Sequence, residues 1–133
     1  MKSVKSRITR GLQRESILPT CDNSGAKLIR VIGFRLNKGV KGRRPEGGVG
    51  SLIIASVRKG TPEMRKKVVF AVIARQKKEF RRPNGVRVKF EDNAAIVLKD
   101  NKGNPKGTII KGPIAKEVAI RWPTVAKQAK IIL

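Results

Sequence analysis

Apolar positions along the chain fall into short segments divided by glycine, proline and charge, a pattern that predicts strands more than helices. Ile17-Leu18-Pro19-Thr20-Cys21 runs into Asp22-Asn23-Ser24-Gly25, four residues that each favour turns, and a strand is expected to follow. Ala26 to Phe34 supplies it, β-branched and apolar and broken by Arg30. Residues 35–50 carry five glycines and one proline, so they read as a long basic loop. Ser51 to Val57 is strand-like, and Gly60-Thr61-Pro62 marks a turn before the next segment. Val68 to Ala74 is apolar on both alternations, as expected of a strand covered on two sides inside a closed barrel or a sandwich. Its continuation, Arg75 to Arg82, abruptly stops being apolar.

Pro83-Asn84-Gly85 is a tight-turn signal, because glycine, and to a lesser degree asparagine, tolerates positive φ. Val86-Arg87-Val88-Lys89-Phe90 then alternates apolar and basic, so one face packs while Arg87 and Lys89 face outward. Together, residues 72–90 predict a two-stranded ribbon with a basic tip. Asn93 to Leu98 gives a further strand, and Asp100 to Pro105 another turn. Pro113 suits the first turn of a helix over residues 114–120, and Pro123 similarly opens Thr124 to Lys130. Ile131-Ile132-Leu133 also reads as strand.

Composition narrows what such a fold is for. The 133 residues suit one domain, 1–133, with a basic tail over 1–12 and a helical part over 113–133. Lys and Arg number 32 against 9 Asp and Glu, a net charge of +23, and an imbalance of that size calls for a polyanionic partner. Cys21 stands alone, so no disulfide framework forms and a reducing cytoplasm is the expected setting. The apolar run Val68 to Ala74 is far short of the roughly 20 residues that cross a bilayer, and no apolar stretch follows the basic start as a signal peptide requires.

Histidine is absent, which removes the commonest general base and, with a single cysteine, any zinc site. No phosphate-binding glycine loop, nucleophile with a base, or spaced carboxylate pair is present; Glu91-Asp92 has no third ligand nearby. No catalysis and no cofactor are expected. Cys21 is open to two readings, a reactive thiol or a small packed side chain, and its apolar neighbours favour the second.

The charge is concentrated on predicted loops and the ribbon: residues 61–90 hold ten Lys and Arg against Glu63 and Glu79. The cations expected to meet RNA phosphates begin with Lys5, Arg7 and Arg10 in the tail and Lys38, Lys41, Arg43 and Arg44 in the first loop. Arg58, Lys59, Arg65, Lys66 and Lys67 follow around the second, and Arg75, Lys77, Lys78, Arg81, Arg82, Arg87 and Lys89 on the ribbon. Only Phe34, Phe70, Phe80, Phe90 and Trp122 are aromatic, a scarcity that favours recognition of folded RNA by backbone and shape over base stacking. Phe34, Phe70 and Phe90 fall in apolar alternations and read as core. Phe80, among Lys77, Lys78, Arg81 and Arg82, either stacks on a base or sugar or folds back to brace the ribbon.

Asp22-Asn23-Ser24-Gly25-Ala26-Lys27, Gly48-Val49-Gly50, the block from Ala71-Val72-Ile73 to Arg81-Arg82-Pro83-Asn84-Gly85, and Gly112-Pro113-Ile114-Ala115-Lys116-Glu117 closely resemble the ribosomal protein 14 family of the large subunit. Arg7-Ile8-Thr9-Arg10-Gly11-Leu12, Lys59 to Lys67, Phe90-Glu91-Asp92-Asn93-Ala94 and Trp122-Pro123 are similar to its archaeal and eukaryotic branch. Ala74, Ile96 and Ser51 depart mildly from the family pattern. The resemblance implies a closed five-stranded β-barrel with a protruding basic ribbon and short C-terminal helices, seated on large-subunit rRNA. It also implies that the loop holding Arg43 and Arg44 approaches small-subunit rRNA across the subunit interface. The part from Pro113 to Lys130 would then lie toward neighbouring ribosomal proteins, on a surface that an anti-association factor can occupy. Two rivals remain: a free-standing RNA-binding barrel acting as chaperone or regulator, and a polybasic membrane-surface protein, which lacks the amphipathic helix such binding needs.

Overall fold

The computed structural model describes residues 7–133. It is mainly β, with 39% strand and 8% helix. The strands are β1 (Leu12–Gln13), β2 (Ile17–Pro19), β3 (Ala26–Phe34), β4 (Glu46–Gly47), β5 (Leu52–Gly60), β6 (Val68–Arg75), β7 (Phe80–Arg81), β8 (Arg87–Val88), β9 (Ala94–Leu98), β10 (Pro113–Ile114) and β11 (Ile131–Ile132). Two short helices, α1 (Lys116–Arg121) and α2 (Pro123–Ala126), lie between the last two strands.

Five strands form one antiparallel sheet in the order β2-β3-β5-β6-β9. Register shifts between β3 and β5, and again between β6 and β9, mark irregularities of the bulge kind that bend a sheet, and the sheet is curled. It curls only into a half-barrel, which corrects the expectation of a closed one. The physical reason lies in β2, which ends after three residues at Pro19, a residue with no N–H to extend a ladder. The two edges therefore meet through an isolated Thr20–Ala95 bridge, with Cys21 N–H donating to the Ala95 carbonyl at 3.0 Å.

Alternation along β6 and β9 divides the core between the two faces of the sheet. Ala71, Ile73, Ala95 and Val97 join Leu18, Ile29, Val31, Ile53 and Val57 on one side. Val72, Ala74, Ala94, Ile96 and Leu98 pack on the other against Ile114, Val118, Trp122 and Val125 of the C-terminal part. The apolar run of β6 is thus covered on two sides from Ala71 to Ala74, as its pattern predicts, whereas Val68 at its start is exposed and Val69 and Phe70 are half-buried. Phe90 is core as expected, while Phe34 and Phe70 are half-buried against it. Cys21 is packed, and burial pushes its thiol up to about 11, so it stays protonated at neutral pH.

The turn Asp22 to Gly25 works as a fastener. The buried Asp22 carboxylate accepts Val97 N–H and the Ser24 hydroxyl, both at 2.9 Å, and burial raises its pKa above the ordinary aspartate value. Asn23 Oδ1 accepts the N–H groups of Thr108 and Ile109, tying the 104–110 loop to the sheet.

Four local features differ from expectation. The ribbon is much shorter than residues 72–90, because residues 72–75 stay in the sheet between β5 and β9, leaving only β7 and β8 to pair. Pro113 opens a strand and no helix: β10 pairs in parallel with β11, so Ile131–Ile132 take the strand reading. The second helix stops at Ala126, short of Lys130. Finally, Ile17–Pro19 enters the sheet as an edge, where a proline is tolerated, and residues 86–90 lie outside it.

Candidate nucleic-acid interface

The described candidates separate into exposed cations and two arginines that the fold uses itself. Lys5 lies outside the described residues. Arg75 is buried at the end of β6, where its guanidinium grips the Asp92 carboxylate at 2.9 and 3.1 Å and donates to the carbonyls of Lys111 and Pro113. Arg82 is half-buried; its Nε donates to Glu117 Oε1 at 2.9 Å and its Nη2 to the Leu133 carbonyl. These planar, multiple donations commit both guanidinium groups to partners within the protein. Lys78 is exposed but faces Glu79 at 2.9 Å, which holds that carboxyl below its ordinary range.

The remaining candidates, Arg7, Arg10, Lys38, Lys41, Arg43, Arg44, Arg58, Lys59, Arg65, Lys66, Lys67, Lys77, Arg81, Arg87 and Lys89, are exposed or half-buried at the surface. They fall into three groups, the first of which tertiary structure brings together from two segments. β1 pairs with β4, placing the N-terminal segment alongside the 35–47 loop. Consecutive arginines of that loop then line different recesses. Arg43 shares one of about 350 Å³ with Arg7, Arg10, Thr9 and Glu46, while Arg44 shares another of about 310 Å³ with Arg14 and Glu15.

Gln76 holds this arrangement in place. Fully buried, its side-chain oxygen accepts Val49 N–H at 2.9 Å, and its amide donates to the carbonyls of Thr9 and Lys78 at 2.9 Å each. One side chain thereby joins the N-terminal segment, the Gly48-Val49 turn and the approach to the ribbon. Gly48 allows the close pass: a Cβ there would sit 2.7 Å from the Thr9 carbonyl. A glutamine inside a basic run gives no sign of this in the sequence. Sequence reasoning also passes over Arg14 and Glu117 as contributors, although an acid at an apolar alternation in so basic a chain is a usable signal.

The second basic group is presented by a turn. Thr61 N–H donates to Gly25 carbonyl and Met64 is buried beneath, so Arg58, Lys59, Arg65, Lys66 and Lys67 stand around a fixed knuckle. The third is the ribbon, where Phe80 is fully buried and therefore braces the hairpin. Its partner positions on the outer face are Arg81 and Arg87, directly opposite one another.

Nine acids offset little of this charge. Glu15, Glu79, Asp92 and Glu117 are in ion pairs, and Asp22 is buried as a cap. Among the described residues no group of His, Cys, Asp or Glu could hold a metal ion, and no helix is long and apolar enough to cross a membrane. Open cationic recesses around a rigid sheet are suited to an extended polyanion.

Residues 11–133 match the family model described as ribosomal protein L14p/L23e. The chain belongs to the L14p/L23e ribosomal protein family. It is 51% identical over its full length to the large ribosomal subunit protein uL14 of Methanocorpusculum labreanum, whose whole length is also covered. The uL14 protein of Methanococcus maripaludis is 53% identical over 99% of each chain, and that of Halobacterium salinarum 48% identical over the whole of both. Membership of the L14p/L23e family makes the chain a structural ribosomal component and not an enzyme.

Proposed function

We propose that this protein is a structural component of the large ribosomal subunit, in the cytoplasm, that binds large-subunit rRNA by neutralising phosphates and holding RNA helices in register. The observation that carries the reading is the division just described. A chain of net charge +23 holds Asp92 and Glu117 against its two inward arginines, buries Asp22, and turns outward loops, a knuckle and a ribbon that carry far more cations than acids. Neutralising each phosphate releases counterions, so affinity of this kind is strong and steeply salt-dependent. The name of the archaeal relatives supports the ribosomal address.

The same reading assigns the face carrying Arg43 and Arg44 to the subunit interface, with small-subunit rRNA beyond it. Exposed Ile120, Ile131, Ile132 and Leu133 give the C-terminal part an apolar surface suited to neighbouring ribosomal proteins and to an anti-association factor. A free-standing RNA chaperone would use the same cations without that address.

Sedimentation of lysate through a sucrose gradient, at moderate and then high salt, separates the two. The protein is expected with the large subunit under both conditions. Its recovery at the top of both gradients would contradict the ribosomal assignment.

A further inference from the structure

The ribbon has an electrostatic peculiarity. Its two-residue strands place Phe80 opposite Val88 and Arg81 opposite Arg87. Like charges facing one another across an antiparallel pair are unfavourable, and a neutral or opposite-charge pair is the ordinary choice. Both arginines are exposed, on the side of the ribbon away from buried Phe80. The hairpin holds them there: Arg82 N–H donates to Val86 carbonyl, Gly85 N–H to Arg82 carbonyl, and Asn84 Oδ1 accepts Val86 N–H. Gly85 supplies the positive φ of +87° that the tight turn requires, and the Arg81 guanidinium lies beside it, with Nη2 3.9 Å from where a Cβ would sit. The nearby acid, Glu79, pairs with Lys78 at 2.9 Å and is also within electrostatic reach of Arg87, so it offsets only part of the charge at the ribbon. Arg82, the neighbour that sequence alone would add to the tip, is turned inward to Glu117 and Leu133.

We propose that Arg81 and Arg87 form a two-arginine clamp for a single backbone phosphate of RNA, and that the ribbon tolerates their mutual repulsion because the bound phosphate removes it. This rests on the rRNA-binding reading above and specifies one of its contacts. Two guanidinium groups carried at directly opposed positions of the two strands can supply the paired donations that phosphate oxygens accept. The clamp is rigid because Phe80, the Arg82–Glu117 pair and the turn hydrogen bonds fix both strands before RNA arrives.

The clamp makes an unusual joint demand, because removing either arginine should help the free protein and harm the complex. The test uses the full chain, transcribed large-subunit rRNA and the variants R81Q, R87Q and R81Q/R87Q. In the free protein each single variant is expected to melt at or a few degrees above the parent, roughly 1 to 4 °C, and the double variant no higher. In binding, each single variant should weaken affinity about 10-fold, with the double variant showing much less than the product of the two single effects, and the double variant should flatten the logarithmic salt slope by about 0.7 to 0.9, the value of one phosphate left unneutralised. Independent, multiplying effects, an unchanged salt slope in the double variant, or single variants that melt well below the parent would each overturn the clamp. So would unchanged RNA binding with poorer incorporation into subunits, which would assign the pair to an acidic protein surface. Failure of the parent chain itself to bind this RNA would instead refute the rRNA-binding reading, so the two failures are distinguishable.

Discussion

The ribbon and the 35–47 loop are both short, basic and exposed at their tips, yet they are held in opposite ways. The ribbon is anchored by fully buried Phe80, by the Arg82–Glu117 ion pair and by Phe90 N–H donating to the Gln76 carbonyl. The loop is paired to β1 at its far end through Glu46–Gly47, where Gln13 Nε2 also donates to Glu46 Oε1, but before that it has few fixings: Arg35 N–H to Leu52 carbonyl, Asn37 Nδ2 to Glu46 carbonyl, and Arg43 N–H to Val40 carbonyl. Leu36 and Lys41 take positive φ, at +69° and +52°, and Leu36 and Val40 are exposed apolar side chains. Few buried contacts and solvent-facing backbone bonds give low local stability. The lesson is that one surface can present cations in two modes. The ribbon offers a preset geometry, which suits a phosphate at a fixed place within the subunit. The loop is free to be shaped by what it meets, which suits a contact made and broken as subunits join.

The largest effect should come from breaking the anchor. Arg82→Ala leaves Glu117, whose side chain is only 7% exposed, without its cation, and is expected to lower unfolding stability by about 2 to 4 kcal/mol in a urea titration. Arg81→Ala, one residue away, should cost nothing measurable in the same titration. Equal destabilisation by the two would erase the distinction between anchor and tip.

Adjacency is where the sequence is least informative. Arg81 and Arg82 are indistinguishable in the chain, and the partner that separates them lies 35 residues further on, brought near by the packing of α1 under the ribbon. The same holds for Arg75, which the run of surrounding cations makes look like surface, and for Gln76, whose three partners come from three segments. Strands β3, β5, β6 and β9 were legible because their apolar alternation is a local property of consecutive residues. β2 was not, since three residues ending in Pro19 carry almost no period, and with it went the point at which the barrel stops closing. The exposed character of Arg43, Arg44, Arg87 and the 58–67 knuckle was legible, since glycine-rich loops and turns run over surfaces.

A smaller effect on stability, with a larger one on assembly, is expected at the loop. Arg43→Ala/Arg44→Ala should shift the urea midpoint by no more than the equivalent of about 0.5 kcal/mol, since both side chains are exposed on a lightly held segment. Retention on large subunits should persist, while the yield of joined particles falls. A normal yield would remove the loop from the interface.

The most direct test of the account places a chemical probe at each tip. Cys21 is the sole cysteine, and its buried, protonated thiol leaves introduced cysteines as the reactive ones. Lys41→Cys on the loop and Val86→Cys on the ribbon, each carrying a tethered iron chelate that cleaves nearby RNA, are assembled into ribosomes. The account predicts cuts in large-subunit rRNA from the ribbon probe in free and joined subunits alike, and cuts in small-subunit rRNA from the loop probe only after joining. A ribbon probe that cuts no large-subunit rRNA, or a loop probe that never cuts small-subunit rRNA, would contradict it.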